Sequence, residues 1–292
     1  MNKASGKIKV FSSMAVFGTI GLFVRCIPLP SAFIAMIRGL VGALFIFLVL
    51  KAGKRRLDTA AIKKNALILL LTGIVIGFNW ILLFEAYRYT TVATATLCYY
   101  FAPIFVLLVS PFLLGEKLSA RKLVCVIAAL IGMVFVSGVL QTGFSGGREY
   151  TGVLFGLGAA VLYASIVILN KKVTGLEAFD ITLTELAVAG VVLIPYVLLT
   201  QEVTLSGLGT RAWICLAVVC IVHTGICYTL YFSGLRETSA QSASMLSYID
   251  PIVAIICSAL ILKEPMGVYG ILGAVLVLGA TFISELPEKK KM

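Results

Sequence analysis

The sequence nearly repeats itself. Phe84 to Glu116 lies over Phe232 to Glu264 without a gap, at a constant offset of 148 residues. Phe84/Phe232, Arg88/Arg236, Thr90/Thr238, Ala95/Ala243, Tyr100/Tyr248, Pro103/Pro251, Ser110/Ser258 and Glu116/Glu264 are identical pairs. Upstream, 33–47 overlies 180–194 at an offset of 147, which sets Arg38 opposite Glu185 and leaves a one-residue slip between the two blocks. A chain of two like halves must fold its halves alike, and this excludes most architectures at once.

The solvent for that fold follows from how apolar the halves are. The 292 residues are 60% hydrophobic and 13% charged, with a mean hydropathy of +1.07. A soluble domain is about half apolar and about a quarter charged. A membrane-spanning helix needs roughly 20 mostly apolar residues. Ten segments meet that length: 8–27, 31–51, 66–87, 92–114, 120–140, 151–170, 181–200, 211–233, 239–262 and 267–284. The expected fold is therefore an all-α integral membrane protein of ten transmembrane helices. No small-residue cleavage site follows the first segment, so it reads as a helix of the mature protein. The seven cysteines form no CxxC and have no metal-spaced histidine partner, and they read as small apolar helix residues.

Charge sets the orientation. With the N-terminus inside, only Arg25, Arg88, Arg148, Arg211 and Lys263 of the 24 Lys and Arg fall on the outer side, and Arg38 lies within a span. This bias obeys the positive-inside rule and predicts both termini in the cytoplasm of a multi-pass cell-membrane protein. The net charge of +11 is thus topological, and no soluble basic surface remains for nucleic acid. Five spans per repeat is an odd number, so the second half must enter the membrane inverted. The 51–64 connection holds six basic residues against one near 200–211, as inversion requires. The expected domains are two inverted five-helix repeats, 1–145 and 146–292. In such a pair the substrate site lies between the halves near the midplane, and rocking exposes it alternately.

Several motifs carry a resemblance. The stretches APIFVLLVSPFLLGEKLS (102–119) and DPIVAIICSALILKEP (250–265) are paired proline-containing helices that run into acidic residues. Together with FGTIGLFVR (17–25), MIRGLVGAL (36–44) and NWILLFEAY (79–87), they resemble the drug/metabolite transporter superfamily in its ten-helix EamA-type branch. The resemblance implies bacterial inner-membrane exporters or permeases of amino acids and other small metabolites. Phe17-Gly18 stands where that family often has Trp-Gly.

Ionisable residues inside a span are costly and usually face a bundle interior or a watery path. Arg38, Glu85, Glu185, His223 and Asp250 are the candidates. Asp250 lies about 16 Å into helix 9, near the midplane. It precedes Pro251, which removes a backbone donor and favours a broken or kinked helix; Pro103 gives helix 4 the same option. His223, the one histidine, either relays protons or is a neutral group bonded to a neighbouring helix. Glu85 and Arg88 form a local i,i+3 pair, or Glu85 receives an amine. Arg38 anchors a loop or binds a substrate carboxylate. Asn79, Trp80, Tyr99, Tyr163 and Tyr228 are expected to wall a small cavity, and Tyr87 and Tyr89 to sit at the membrane interface.

No Walker loop, dinucleotide fingerprint or metal-spaced histidine cluster occurs, so no cofactor is expected and ATP-driven or redox chemistry has no residues to use. The expected activity is secondary transport, with export of an amino acid or related metabolite as the leading reading. A permease for drugs or for metabolites such as nucleotide sugars is the alternative, followed by a lipid-modifying membrane enzyme. The expected partners are the bilayer and a small-molecule substrate; protons as coupling ion and a homodimer stay open.

Overall fold

The computed structural model describes residues 3–90, 92–137, 147–261 and 268–286, and every regular element among them is helical. In the first half these are α1 (Lys3–Phe17), α2 (Ile20–Val24), α3 (Ser31–Ala52), α4 (Thr59–Lys64), α5 (Ala66–Tyr89), α6 (Val92–Tyr99), α7 (Ala102–Leu114) and α8 (Ala120–Ser137). The second half has α9 (Gly147–Lys172), α10 (Ala178–Thr200), α11 (Thr210–Val218), a π-segment (Val219–Ile226), α12 (Cys227–Glu237), α13 (Ala240–Leu246), α14 (Ile249–Ile261) and α15 (Val268–Glu285).

Eight stretches are long and apolar enough to cross a bilayer, among the described residues. Two of the ten expected segments, 120–140 and 239–262, are helical at α8 and at α13 plus α14 but do not join those eight. The outer surface suits lipid. Phe112, Leu199 and Leu260 stand 89%, 85% and 75% exposed, while Ser13, Thr72, Asn79, Glu185 and Thr224 are buried. In water such an apolar surface would drive association; in a bilayer it meets acyl chains.

Helix ends follow local chemistry. Asp58 caps α4 by accepting the Ala61 N–H at 2.8 Å. Gly115 ends α7 at φ +66°, a left-handed turn that glycine enters without a Cβ clash.

The halves pack in matching ways. α3 lies against α10, and α8 against α15, so each of these helices touches its own repeat equivalent. Both crossings are made on glycine. A Cβ on Gly39 would come within 3.1 Å of the Gly190 Cα, and one on Gly132 within 2.8 Å of the Gly273 carbonyl. Small residues let backbones approach where lipid supplies no hydrophobic drive. Likewise α5 packs on α9 as α12 packs on α1.

Three helical stretches are interrupted. α6 and α7 part at Tyr100–Phe101, and α13 and α14 at Ser247–Tyr248, within one residue of equivalent places. Each break lies about one turn before its proline, Pro103 or Pro251, whose missing N–H removes an i→i−4 bond; the Ser247 carbonyl accepts the Asp250 N–H at 3.2 Å instead. α1 and α2 part at Gly18–Thr19. The Thr210–Glu237 stretch stays continuous but carries the π-segment, while the corresponding part of α5 is regular α-helix.

Candidate substrate cavity

The interruptions surround one cavity of about 290 Å³. Phe17 and Ile20 border it from the break in the first crossing, Tyr100 and Pro103 from the second break, and Ser247 and Asp250 from the third. α5 contributes Trp80 and Phe84, α9 contributes Tyr163, and α12 contributes Tyr228 and Tyr231.

Arg38 is the cation of this cavity. Its Nε donates to the Thr224 hydroxyl at 3.1 Å, and its guanidinium carbon lies 4.9 Å from the Trp80 ring centre and 6.0 Å from that of Tyr228. Thr224 in turn donates to the Val219 carbonyl at 2.8 Å, a five-residue reach that the π-segment provides. π-Turns inside α-helices commonly mark functional sites. No carboxylate forms an ion pair with Arg38 among the described residues. With no such pair among the described residues, its terminal nitrogens have the fork geometry to take a carboxylate two-pronged.

Asp250 supplies the carboxyl group of the cavity, with Tyr100 as its hydroxyl neighbour. Its backbone is pressed against the first crossing: a Cβ on Gly18 would stand 2.5 Å from the Asp250 carbonyl and 2.7 Å from the Val253 Cβ. Gly18 is thus the residue that lets helix 1 approach the third break. The aromatic wall is interlocked. Tyr99 and Tyr163 meet edge to face at 5.6 Å, Phe17 and Tyr228 at 5.2 Å, and the Tyr163 and Tyr231 hydroxyls are 3.1 Å apart. Edge-to-face pairs fix ring orientation beyond what burial does.

Of the nine residues singled out in the sequence, Arg38, Trp80, Tyr99, Tyr163, Tyr228 and Asp250 line this cavity. Asn79 stands behind the wall. It is 2% exposed, donates to the Ala159 carbonyl at 2.6 Å, and accepts from the Tyr99 hydroxyl at 3.4 Å. Glu85 lies elsewhere. It accepts from Arg88 at 2.9 and 3.2 Å and from the Tyr196 hydroxyl. His223 is buried beside the cavity, not in it. Its Nε2 is 3.0 Å from the Thr19 hydroxyl, its Nδ1 is 3.4 Å from the Val218 carbonyl, and its ring packs on Phe23. The side chain of Tyr87 lies outside the described residues.

Sequence reading passed over Phe17, Tyr231 and Ser247 as lining residues. Tyr231 carried a signal, since it follows Tyr228 by three residues and so shares its helix face. Ser247 is four residues before Pro251, where a break frees backbone.

At the end of the bundle bearing the N-terminus, the halves are tied together. The Glu116 carboxylate accepts the backbone N–H groups of Ala240 at 2.7 Å and Gln241 at 3.2 Å. Asn65 donates to the Thr174 carbonyl at 2.9 Å and accepts the Thr174 N–H at 3.3 Å. Lys9 pairs with Glu237, and Arg55 with Glu177.

Interrupted helices around an aromatic cavity that holds Arg38 and Asp250, in a bundle of two similarly packed halves, define a multi-pass membrane transporter. The EamA-like transporter family matches residues 4–138 and again 150–286, and the chain belongs to that family, within the drug/metabolite transporter superfamily. It is 30% identical over 290 residues to the uncharacterized transporter YxxF of Bacillus subtilis, covering 99% of this chain and 92% of that one. It is 26% identical over 217 residues to Protein PecM of Dickeya dadantii, covering 72% and 70%. A solved crystal structure superposes with a TM-score of 0.86 over 97% of each chain at 16% identity, a likeness of fold.

Proposed function

We propose that this protein is a secondary transporter that moves an amino acid or a similar small zwitterionic metabolite out of the cell by alternating access. The observation that carries the reading is the pairing, in one aromatic cavity, of an unneutralised guanidinium with a carboxylate: Arg38 with Asp250. A zwitterion meets both needs, its carboxylate on Arg38 and its ammonium on Asp250, with its side chain against Trp80, Tyr99 and Tyr228. The cavity, at about 290 Å³, falls at the low end of the roughly 300–1,000 Å³ typical of small-molecule sites. A nucleotide sugar would overfill it and would call for several cations on its phosphates.

Alternating access is supported by the equivalent breaks at 100–101 and 247–248, which give both halves a place to bend, and by the ties across the halves at one end. Outward direction rests on the family resemblance. The basic end of the bundle faces the cytoplasm in this reading, with both termini inside the plasma membrane. Purified protein in liposomes loaded with single labelled amino acids tests the whole. Efflux of one or a few of them, inhibited by the unlabelled compound, is expected. Flux of nucleotide sugars without amino-acid flux would overturn the assignment.

A further inference from the structure

Glu185 is a carboxyl group in the membrane interior that the cavity does not use. It lies on α10, is 0% exposed, and its Oε1 has no hydrogen-bond partner. Its Oε2 accepts from Asn170 Nδ2 at 3.2 Å, an amide that also serves the Ile166 carbonyl. Its other polar neighbour is Thr72. The single hydroxyl proton of Thr72 is given to the Ile68 carbonyl at 2.8 Å, so Thr72 offers Glu185 only lone pairs. An ionised carboxylate here would face an acceptor and keep one oxygen bare in a dry interior, which is costly. A carboxylic acid supplies the donor that the pocket lacks.

The charged and titratable groups around it do not change this. On α3 the cation is Arg38, engaged by Thr224 and Trp80. On α5 the charged pair is Glu85–Arg88; Glu85 meets α10 at Tyr196, eleven residues or about 16 Å along the helix from Glu185. On α12 the titratable groups that face inward are the phenols Tyr228 and Tyr231; Arg236 and Glu237 are at its far end, the latter held by Lys9. On α9 Lys171 donates to the Leu235 and Thr238 carbonyls at 3.0 and 2.5 Å. On α10 itself Asp180 lies five residues toward the basic end.

We propose that Glu185, with Asn170 and Thr72, is a proton-binding site, occupied in this state, and that its emptying couples transport to a proton gradient. The Asn65–Thr174 bonds close the same end of the bundle, between α4–α5 and the connection from α9 to α10. Parting of these elements would hydrate Glu185 and let its O–H proton pass to water, leaving the carboxylate; the reverse movement requires that the proton return. The coupling half of this inference rests on the transporter reading, whereas proton occupancy does not.

Two measurements test it separately. Infrared spectra of the full-length protein in lipid at neutral pH should contain a carbonyl band of a protonated carboxyl, shifted in heavy water, that Glu185→Gln removes and that is still present in Asp250→Asn. Identical spectra for the wild type and Glu185→Gln would mean that Glu185 is ionised and would overturn the site, whatever the substrate. In proteoliposomes that exchange a labelled amino acid, Glu185→Gln should keep exchange at equal concentrations and lose the acceleration that an imposed pH gradient gives the wild type. Glu185→Asp should retain part of that acceleration. A Glu185→Gln protein that still answers the gradient would overturn the coupling. Absence of any amino-acid exchange, with the infrared band present, would count against the substrate and leave the proton site standing.

Discussion

The hydroxyl of Tyr248 donates a 3.0 Å hydrogen bond to the backbone carbonyl of Tyr100, the residue that holds its own place in the other repeat. Their rings lie 6.0 Å apart. The two proline-associated breaks therefore meet each other, and the bond joins them through one side chain and one main-chain group. Tyr248→Phe removes the only donor in that pair and leaves a buried carbonyl to fend for itself. A loss of about 1–3 kcal/mol is expected, read as a lowered unfolding temperature in detergent. Tyr100→Phe keeps this bond, because Tyr100 contributes its backbone, and should instead affect transport through Asp250.

Gly18→Ala should abolish or strongly reduce transport with normal membrane insertion. Its Cβ would be forced against the Asp250 carbonyl at 2.5 Å and the Val253 Cβ at 2.7 Å, so the third break must shift. Gly21→Ala is the control, since nothing lies within 4 Å of a Cβ there. Equal flux from the two variants would remove Gly18 from the account of the cavity.

Arg38→Lys keeps the charge and loses the fork. The Nε bond to Thr224 and the guanidinium contact with the Trp80 ring both go. Apparent affinity for a substrate with a carboxylate should fall about 10–100-fold, as expected for losing charge-assisted hydrogen bonds of about 1.5–3 kcal/mol. The concentration dependence of flux measures it. An analogue in which the carboxylate is an amide should be insensitive to the same change.

Glu116→Gln weakens the tie between α7 and the start of α13. The carboxylate accepts two backbone N–H groups there, and replacing it with a neutral amide should cost about 1 kcal/mol of that contact. The population should move toward states in which this end is parted. A spin label or fluorophore pair across the two elements should report a longer mean distance than in the wild type; an unchanged distance would show that the tie holds no state closed.

Reporter fusions after Lys64 and after Gly146 should give opposite signals. The 51–64 connection carries its basic residues to the N-terminal end of the bundle, and the positive-inside rule predicts that end in the cytoplasm. The same side for both would contradict the inverted arrangement.

Much of the frame was legible because it is written in local pattern. Length and hydropathy gave the helices, and Pro103 and Pro251 marked breaks that occur one turn earlier. The aromatic residues Trp80, Tyr99 and Tyr163 stood out because rings deep in a span need a reason to be there. What stayed hidden depends on which helix lies opposite. The grip of Thr224 on Arg38 needs the π-segment, and nothing in VCIVHTGI announces a change of helix type. The close pass of Gly18 over Asp250 joins residues more than 200 positions apart. Glu185 looked like the counterpart of Arg38 in the alignment, yet one lines the cavity and the other is sealed behind Asn170.

The one-residue slip between the repeat offsets falls in a stretch where the two halves also differ in helix type. From 47 to 84 in the first half and from 194 to 232 in the second, the second is longer by one residue. The π-segment lies inside that interval, and an i→i+5 turn houses one residue more than an α-turn without turning the helix ends. The π-turn lets Thr224 reach the Val219 carbonyl and sets its hydroxyl against Arg38. Two identical copies of either half would match at this point and would present equal walls to whatever lay between them. A single chain is free to make its walls unequal, and here one carries a guanidinium and the other a carboxylate.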